Sequence, residues 1–318
     1  MPLSSLRPWG IVFSTLAAGC VATSPEDPES TFGGSSATSA AATDNGSGSS
    51  PTTGVNPSVD GTMGGSSSDD GSGLVLDVGP GDIGSTPPEV AEVFGHSGSE
   101  LYRLDVDTNE VTSVGPFDGC TASIIDIALD ADSQMFGTAF GSLWSIDRLT
   151  GDCTMIAEGS YPTSLSFVPA GTVDPDREAL VGFVDDEYIR IDEQTGQITP
   201  LGTLTDGLES SGDMVSVIGG GSFLTVVGPG CDAGDCIIEI DPSNGAVLQN
   251  FGPLPYTQVF GLAFWAGRAY GFAREGVLFE IEFDGGSVTT TVIPFPVAPP
   301  DLEFFGAGST TAAPPAEG

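Results

Sequence analysis

From Glu89 onward the chain alternates apolar and polar residues in short runs, and one run recurs. Leu101–Asn109 (LYRLDVDTN), Leu143–Gly151 (LWSIDRLTG), Tyr188–Gly196 (YIRIDEQTG), Ile237–Gly245 (IIEIDPSNG) and Leu278–Gly286 (LFEIEFDGG) each alternate, reach an acidic residue and end in a turn closed by Gly or Asn. Alternation of period two running into such a turn predicts a half-buried strand entering a hairpin. The acidic residues Asp105, Asp147, Asp192, Asp241 and Glu282 lie 42, 45, 49 and 41 residues apart. Several short strands per unit and a period in the forties predict a β-propeller.

Each unit divides into four strands. The inner strands are Asp126–Leu129, Ser164–Phe167, Asp213–Ser216 and Gly261–Phe264. Second strands follow at Met135–Thr138, Leu180–Phe183, Phe223–Val226 and Ala269–Phe272, then the recurring motif, then a fourth strand. The first unit begins at its second strand, Glu92–Gly95, and lacks an inner one. Asp301–Phe305 (DLEFF) is the spare strand expected to complete it, joining the two ends of the ring and leaving no open edge. The expectation is an all-β, five-bladed propeller over 89–306, with 307–318 (AGSTTAAPPAEG) as a disordered tail.

The segment before it has a different texture. Arg7 is the only charge before Glu26, and Trp9–Ala18 is an apolar run too short to span a bilayer. A basic start, a short apolar core and small residues predict a secretory signal peptide over 1–19. Residues 20–88, dominated by Ser, Gly, Thr, Ala, Asp and Pro, cannot bury enough apolar surface to offset their ordering entropy and read as a disordered linker.

Leu16-Ala17-Ala18-Gly19-Cys20 resembles the lipobox of bacterial lipoproteins, with Ala17 where that family more often has Leu. The resemblance implies cleavage before Cys20, acylation of Cys20 and attachment to a membrane. With Val21 rather than Asp next, it implies the outer membrane or cell surface. The repeats resemble bacterial β-propeller proteins of the broad NHL-like and quinoprotein-like kind over roughly Glu89–Phe305. That resemblance implies a fold and leaves function open.

Charge narrows the chemistry. The chain has 44 acidic residues, 7 Arg, no Lys and one His, for a net charge of −37. Without Lys there is no Walker-type phosphate loop and no Schiff base. A surface this acidic repels nucleic acid, which is excluded as a partner. His96, on the second strand of the first unit, is expected to be a packing residue, and no His-rich zinc site can be assembled.

The candidate site is the ring of inner-strand starts: Asp126, Ser164, Asp213, Gly261 and Asp301. Converging in the channel, Asp126, Asp213 and Asp301 could hold Ca²⁺. Without a metal their mutual repulsion should raise at least one pKa. Asp105-x-Asp107-x-Asn109 lacks the Gly and distal Glu of a calcium loop and reads as a turn. Phe264, Trp265, Tyr270 and Phe272 form either inter-blade core or a stacking platform. Exported proteins keep disulfides. Cys231 and Cys236 flank a short loop and are expected to pair, which leaves Cys120 with Cys153, although these lie nominally at opposite ends of their strands.

Two functions follow. One is a lipid-anchored binding or scaffold module for a protein or glycan partner. The other is a glycosidase-like hydrolase working through a pair of channel carboxylates.

Overall fold

The computed structural model describes residues 92–316. The expected signal peptide, Cys20 and the linker lie outside the described residues. Among the described residues, twenty strands form five antiparallel sheets of four. The second blade holds β4 (Asp126–Leu129), β5 (Met135–Ala139), β6 (Ser142–Ile146) and β7 (Cys153–Glu158). The third holds β8 (Ser164–Val168), β9 (Ala179–Val184), β10 (Glu187–Ile191) and β11 (Ile198–Thr203). The fourth holds β12 (Glu209–Ser216), β13 (Ser222–Val227), β14 (Cys236–Ile240) and β15 (Val247–Pro253). The fifth holds β16 (Val259–Trp265), β17 (Arg268–Ala273), β18 (Val277–Asp284) and β19 (Ser287–Ile293).

The first blade is assembled from both ends of the described chain. Its strands β1 (Val93–His96), β2 (Glu100–Asp105) and β3 (Glu110–Pro116) are completed by β20 (Gly306–Ser309), which pairs antiparallel with β1 from His96↔Gly306 to Val93↔Ser309. The inner strands β20, β4, β8, β12 and β16 each contact the next, and β16 returns to β20, so the ring is closed: a five-bladed β-propeller.

The burial of the strands follows from their place in the blade. Inner strands β4 and β8 are buried at every position, whereas the outer strands β7 and β11 have no fully buried residue. Inner strands face neighbouring blades on both sides, so they are buried even where polar and apolar residues alternate, as in Ser164–Val168. The recurring third strands alternate because they are half buried, and the acid at their end accepts amide hydrogens of the following turn. Asp105 Oδ1 takes those of Asp107 and Thr108, Asp192 Oδ1 those of Gln194 and Thr195, and Asp241 Oδ1 that of Ser243.

Two expectations about the C-terminus are corrected. The closing strand is Gly306–Ser309, starting five residues after Asp301. In Asp301–Phe305, Leu302 and Phe304 are buried, with Phe304 edge-on to Tyr102 and Phe272, but the segment is a connection and Asp301 is exposed. Its apolar residues belong to the core between blades. The strand at the ring's centre has to be made of small residues: a Cβ on Gly306 would lie 2.3 Å from Asp126 Oδ1 and 2.5 Å from His96 Nε2. The expected disordered tail is also ordered structure. Ala307 and Ser309–Ala313 are buried. Thr310 bridges in parallel to Leu129 and donates its hydroxyl to Asp130 O at 2.7 Å. Thr311 donates its hydroxyl to Glu178 and accepts the Ile218 amide at 2.8 Å. The tail therefore reaches the ends of blades two, three and four and lies across one mouth of the channel.

Candidate functional site

The inner strands all start at the other mouth. There the residue just before each buried channel position contributes to one pocket of ≈ 360 Å³: Ile125, Thr163, Gly212, Phe260 and Phe305, one from each blade. Phe140 from the β5–β6 turn, Ser211 and Arg274 from the β17–β18 turn complete its wall. The wall is mostly apolar, as small-ligand sites are. Phe140 is 76% exposed. Ser211 Oγ donates to Asp235 Oδ2 at 3.0 Å, and Arg274 Nε donates to Glu303 at 3.3 Å.

Beneath the pocket the structure brings Asp126 and Asp213 together and leaves Asp301 apart. Both carboxylates are completely buried, and they lie near enough for the charge of one to act on the other. Burial raises both pKa values well above the ordinary carboxylate range, and the charge of Asp213 raises that of Asp126 further. The rise expected of converging carboxylates is thus present, with desolvation rather than repulsion as its first cause.

Backbone amides donate to both carboxylates. Asp126 Oδ1 accepts from Ile127 at 2.9 Å and Oδ2 from Leu165, on the next inner strand, at 2.6 Å. Asp213 repeats the pattern with Met214 at 2.6 Å and Leu262 at 2.7 Å. Each Asp thereby staples its blade to the following one. A second-strand Thr adds a parallel tie: Thr138 donates to Pro162 O at 3.1 Å and Thr225 to Val259 O at 3.2 Å. Where the inner strand starts with Gly, the second strand supplies a ring instead, His96 opposite Gly306 and Phe272 opposite Gly261.

His96 is fully buried. Its Nδ1–H donates to Ser97 O at 2.8 Å, its ring meets Phe117 edge-on at 5.6 Å, and Nε2 has no partner. Burial depresses its pKa to about 4. It is a neutral packing residue of the channel wall.

These placements revise the sequence expectations. The calcium reading needed three converging carboxylates and only two converge; among the described residues no group of three or more His, Cys, Asp or Glu side chains is placed to hold a metal ion. The hydrolase reading needed a carboxylate pair within reach of substrate. Asp126 and Asp213 are 0% exposed, do not line the pocket and spend their oxygens on amides. Phe264, Trp265, Tyr270 and Phe272 are all buried and form core, not a surface platform.

Cys231 pairs with Cys236 and Cys120 with Cys153, whose Cα atoms are 5.2 Å apart. The geometric obstacle to the second pair disappears because the end of β3 lies against the β6–β7 turn of the next blade: the Cys153 amide donates to Asp118 O at 2.7 Å. Sequence reasoning missed the pocket, whose residues are scattered over five blades and share no motif. Only their fixed position, one before each inner-strand start, could have flagged them.

No protein-family model matches the sequence, and no curated protein matches it. Among solved structures, the chain is similar to a component of a nidogen/laminin complex, with 14% identity over 68% of this chain and 96% of that one and a TM-score of 0.43. It is also similar to the Swd1 β-propeller domain of Myceliophteria thermophila, with 10% identity over 64% and 70% and a TM-score of 0.37. A protein of unknown function from Bacteroides caccae matches with 11% identity over 64% and 73% and a TM-score of 0.35.

Proposed function

We propose that the chain is an extracytoplasmic binding module that takes its ligand or partner at the open mouth of the propeller channel, on the face formed by the inner-strand starts. One observation carries the reading: the channel has two unlike ends, one crossed by the chain's own C-terminal segment and the other opening into a mostly apolar pocket walled by all five blades. A site built by every blade is preorganised by the whole ring, so little ordering cost falls on binding. The buried carboxylate pair then serves as the structural floor of that site.

The N-terminal motif supports an address to go with it. Cys20 is read as a lipid anchor that holds the domain at the outer membrane or cell surface at the end of the linker, and the two disulfides suit an oxidising compartment.

The test is to titrate a panel of apolar-tailed fragments into isotopically labelled protein. Binding should shift the amide resonances of Ile125, Thr163, Gly212, Phe260 and Phe305 before those of the Asp147, Asp192 and Asp241 turns. Shifts confined to those turns would overturn the reading.

A further inference from the structure

We propose that the open face is an interaction surface for a basic protein segment, which seats one apolar side chain in the pocket at the channel mouth. This rests on the pocket being the binding site and adds what binds there. The apolar area does not end at the pocket rim. Phe140, at the tip of the β5–β6 turn, is 76% exposed, and Val184 and Val227, at the ends of β9 and β13 on the same face, are 41% and 39% exposed. A small molecule filling ≈ 360 Å³ would leave much of this uncovered. An apolar centre within a polar rim is the anatomy of a protein interface, with the pocket as the anchor position.

Charge decides the sign of the partner. The connections on this face carry exposed Asp185, Asp186, Asp206, Asp232, Glu275 and Glu303, from five connections that serve blades one, three, four and five. Among the described residues, Arg274 is the only basic residue in the connections of this face, and Glu303 accepts its Nε–H. The rim thus has a strongly negative field that repels acidic partners and draws basic ones onto an apolar centre. Inside the pocket the side chains of Thr163, Ser211 and Arg274 are the only polar ones, and Ser211 and Arg274 already have acidic partners, so the inserted group is apolar.

The experiment uses the full chain in detergent micelles and fluorescein-labelled decapeptides of alternating Lys and Gly around a central Trp. Companion peptides replace Lys by Glu, Lys by Gln, or Trp by Ser. Binding is read by anisotropy at physiological salt, with empty micelles as the blank. The Lys/Trp peptide should bind, and each companion should bind about tenfold more weakly or worse. Phe140→Ala, at an exposed position that does not threaten folding, should weaken the Lys/Trp peptide about tenfold. Combined Asp185→Asn, Asp186→Asn and Asp206→Asn should weaken it severalfold and flatten its salt dependence.

If the Gln/Trp peptide binds as tightly as the Lys/Trp peptide and Phe140→Ala weakens both, the pocket stands and the basic partner is wrong. If the Lys/Ser peptide binds as tightly, the contact is charge adsorption and the inference falls. If Trp peptides bind and Phe140→Ala and Phe260→Ala leave their affinity unchanged, the pocket reading itself falls. Absence of binding by every peptide, or preference for the Glu peptide, also overturns the inference.

Discussion

Replacing Asp213 by Ala tests the stapled floor of the channel. The substitution removes the acceptors of two buried amides, Met214 N–H at 2.6 Å and Leu262 N–H at 2.7 Å. A buried donor left without a partner costs about 1–3 kcal/mol, so two cost about 2–6 kcal/mol. Asp126 loses a neighbour that penalised its charge, which returns part of this. A net loss of about 2–4 kcal/mol is expected, a large share of the roughly 5–15 kcal/mol that domains hold in reserve. At about 2–4 °C per kcal/mol for a domain of this size, the melting temperature should fall by about 4–16 °C. Asp213→Asn keeps one acceptor and should lose about half as much. Asp301→Ala, at an exposed position, should stay within about 0.5 kcal/mol.

The same pair sets a pH signature. Its pKa values are raised on folding, so its stabilising contribution is complete below the ordinary carboxylate range near about 4 and is lost as pH rises through the folded values. The stability difference between wild type and Asp126→Asn/Asp213→Asn should therefore shift against wild type as pH rises from about 4 toward neutrality. Thermal unfolding by circular dichroism across that range is the assay. An Asp213→Ala melting temperature within 2 °C of wild type, or an Asp301→Ala loss of equal size, would refute the staple.

Removing Thr310–Ala316 should destabilise the domain by several degrees in the same assay, because it strips the hydroxyl partners of Asp130 O and Glu178 and uncovers the channel end; an unchanged melting temperature would argue against the tail's structural role. Cys120→Ser should cost about 3.7 kcal/mol by loop-closure entropy for a separation of 33, against about 2 kcal/mol for Cys231→Ser with a separation of 5. Equal losses in denaturant titrations would contradict that ordering. Cys20→Ala should move the protein from the membrane fraction to the soluble one, and retention in membranes would dispose of the lipid anchor.

The repeat was legible because half-buried third strands must alternate and their turns need an acid and a Gly, as in Asp147–Gly151 and Asp192–Gly196. Asp126 and Asp213 were legible as inner-strand starts. That they meet was not, since they belong to blades two and four and come together only through closure of the ring. Asp301 was misplaced for a related reason. Leu302, Phe304 and Phe305 carry a strong apolar signal, while the real closing strand, Gly306-Ala307-Gly308-Ser309, carries none. Crowding at the channel centre selects small residues, and hydrophobic patterning cannot see crowding. The same blindness made Thr310–Ala313 look like a tail, because its Thr and Ala residues are buried by shape and hydroxyl bonds rather than by hydrophobicity.

Gly306–Ser309 closes the ring, and the C-terminal segment that follows lies across one end of the channel. Native-state hydrogen exchange of the full chain reads both features at single amides. The amides of Phe305 and Ala313, which donate to His96 O and Thr310 O, and of Ile218, which donates to Thr311 O, should exchange slowly, Phe305 at the pace of the inner strands. Exchange of these amides at the rate of an unstructured peptide, with β1 and β4 still protected, would contradict both.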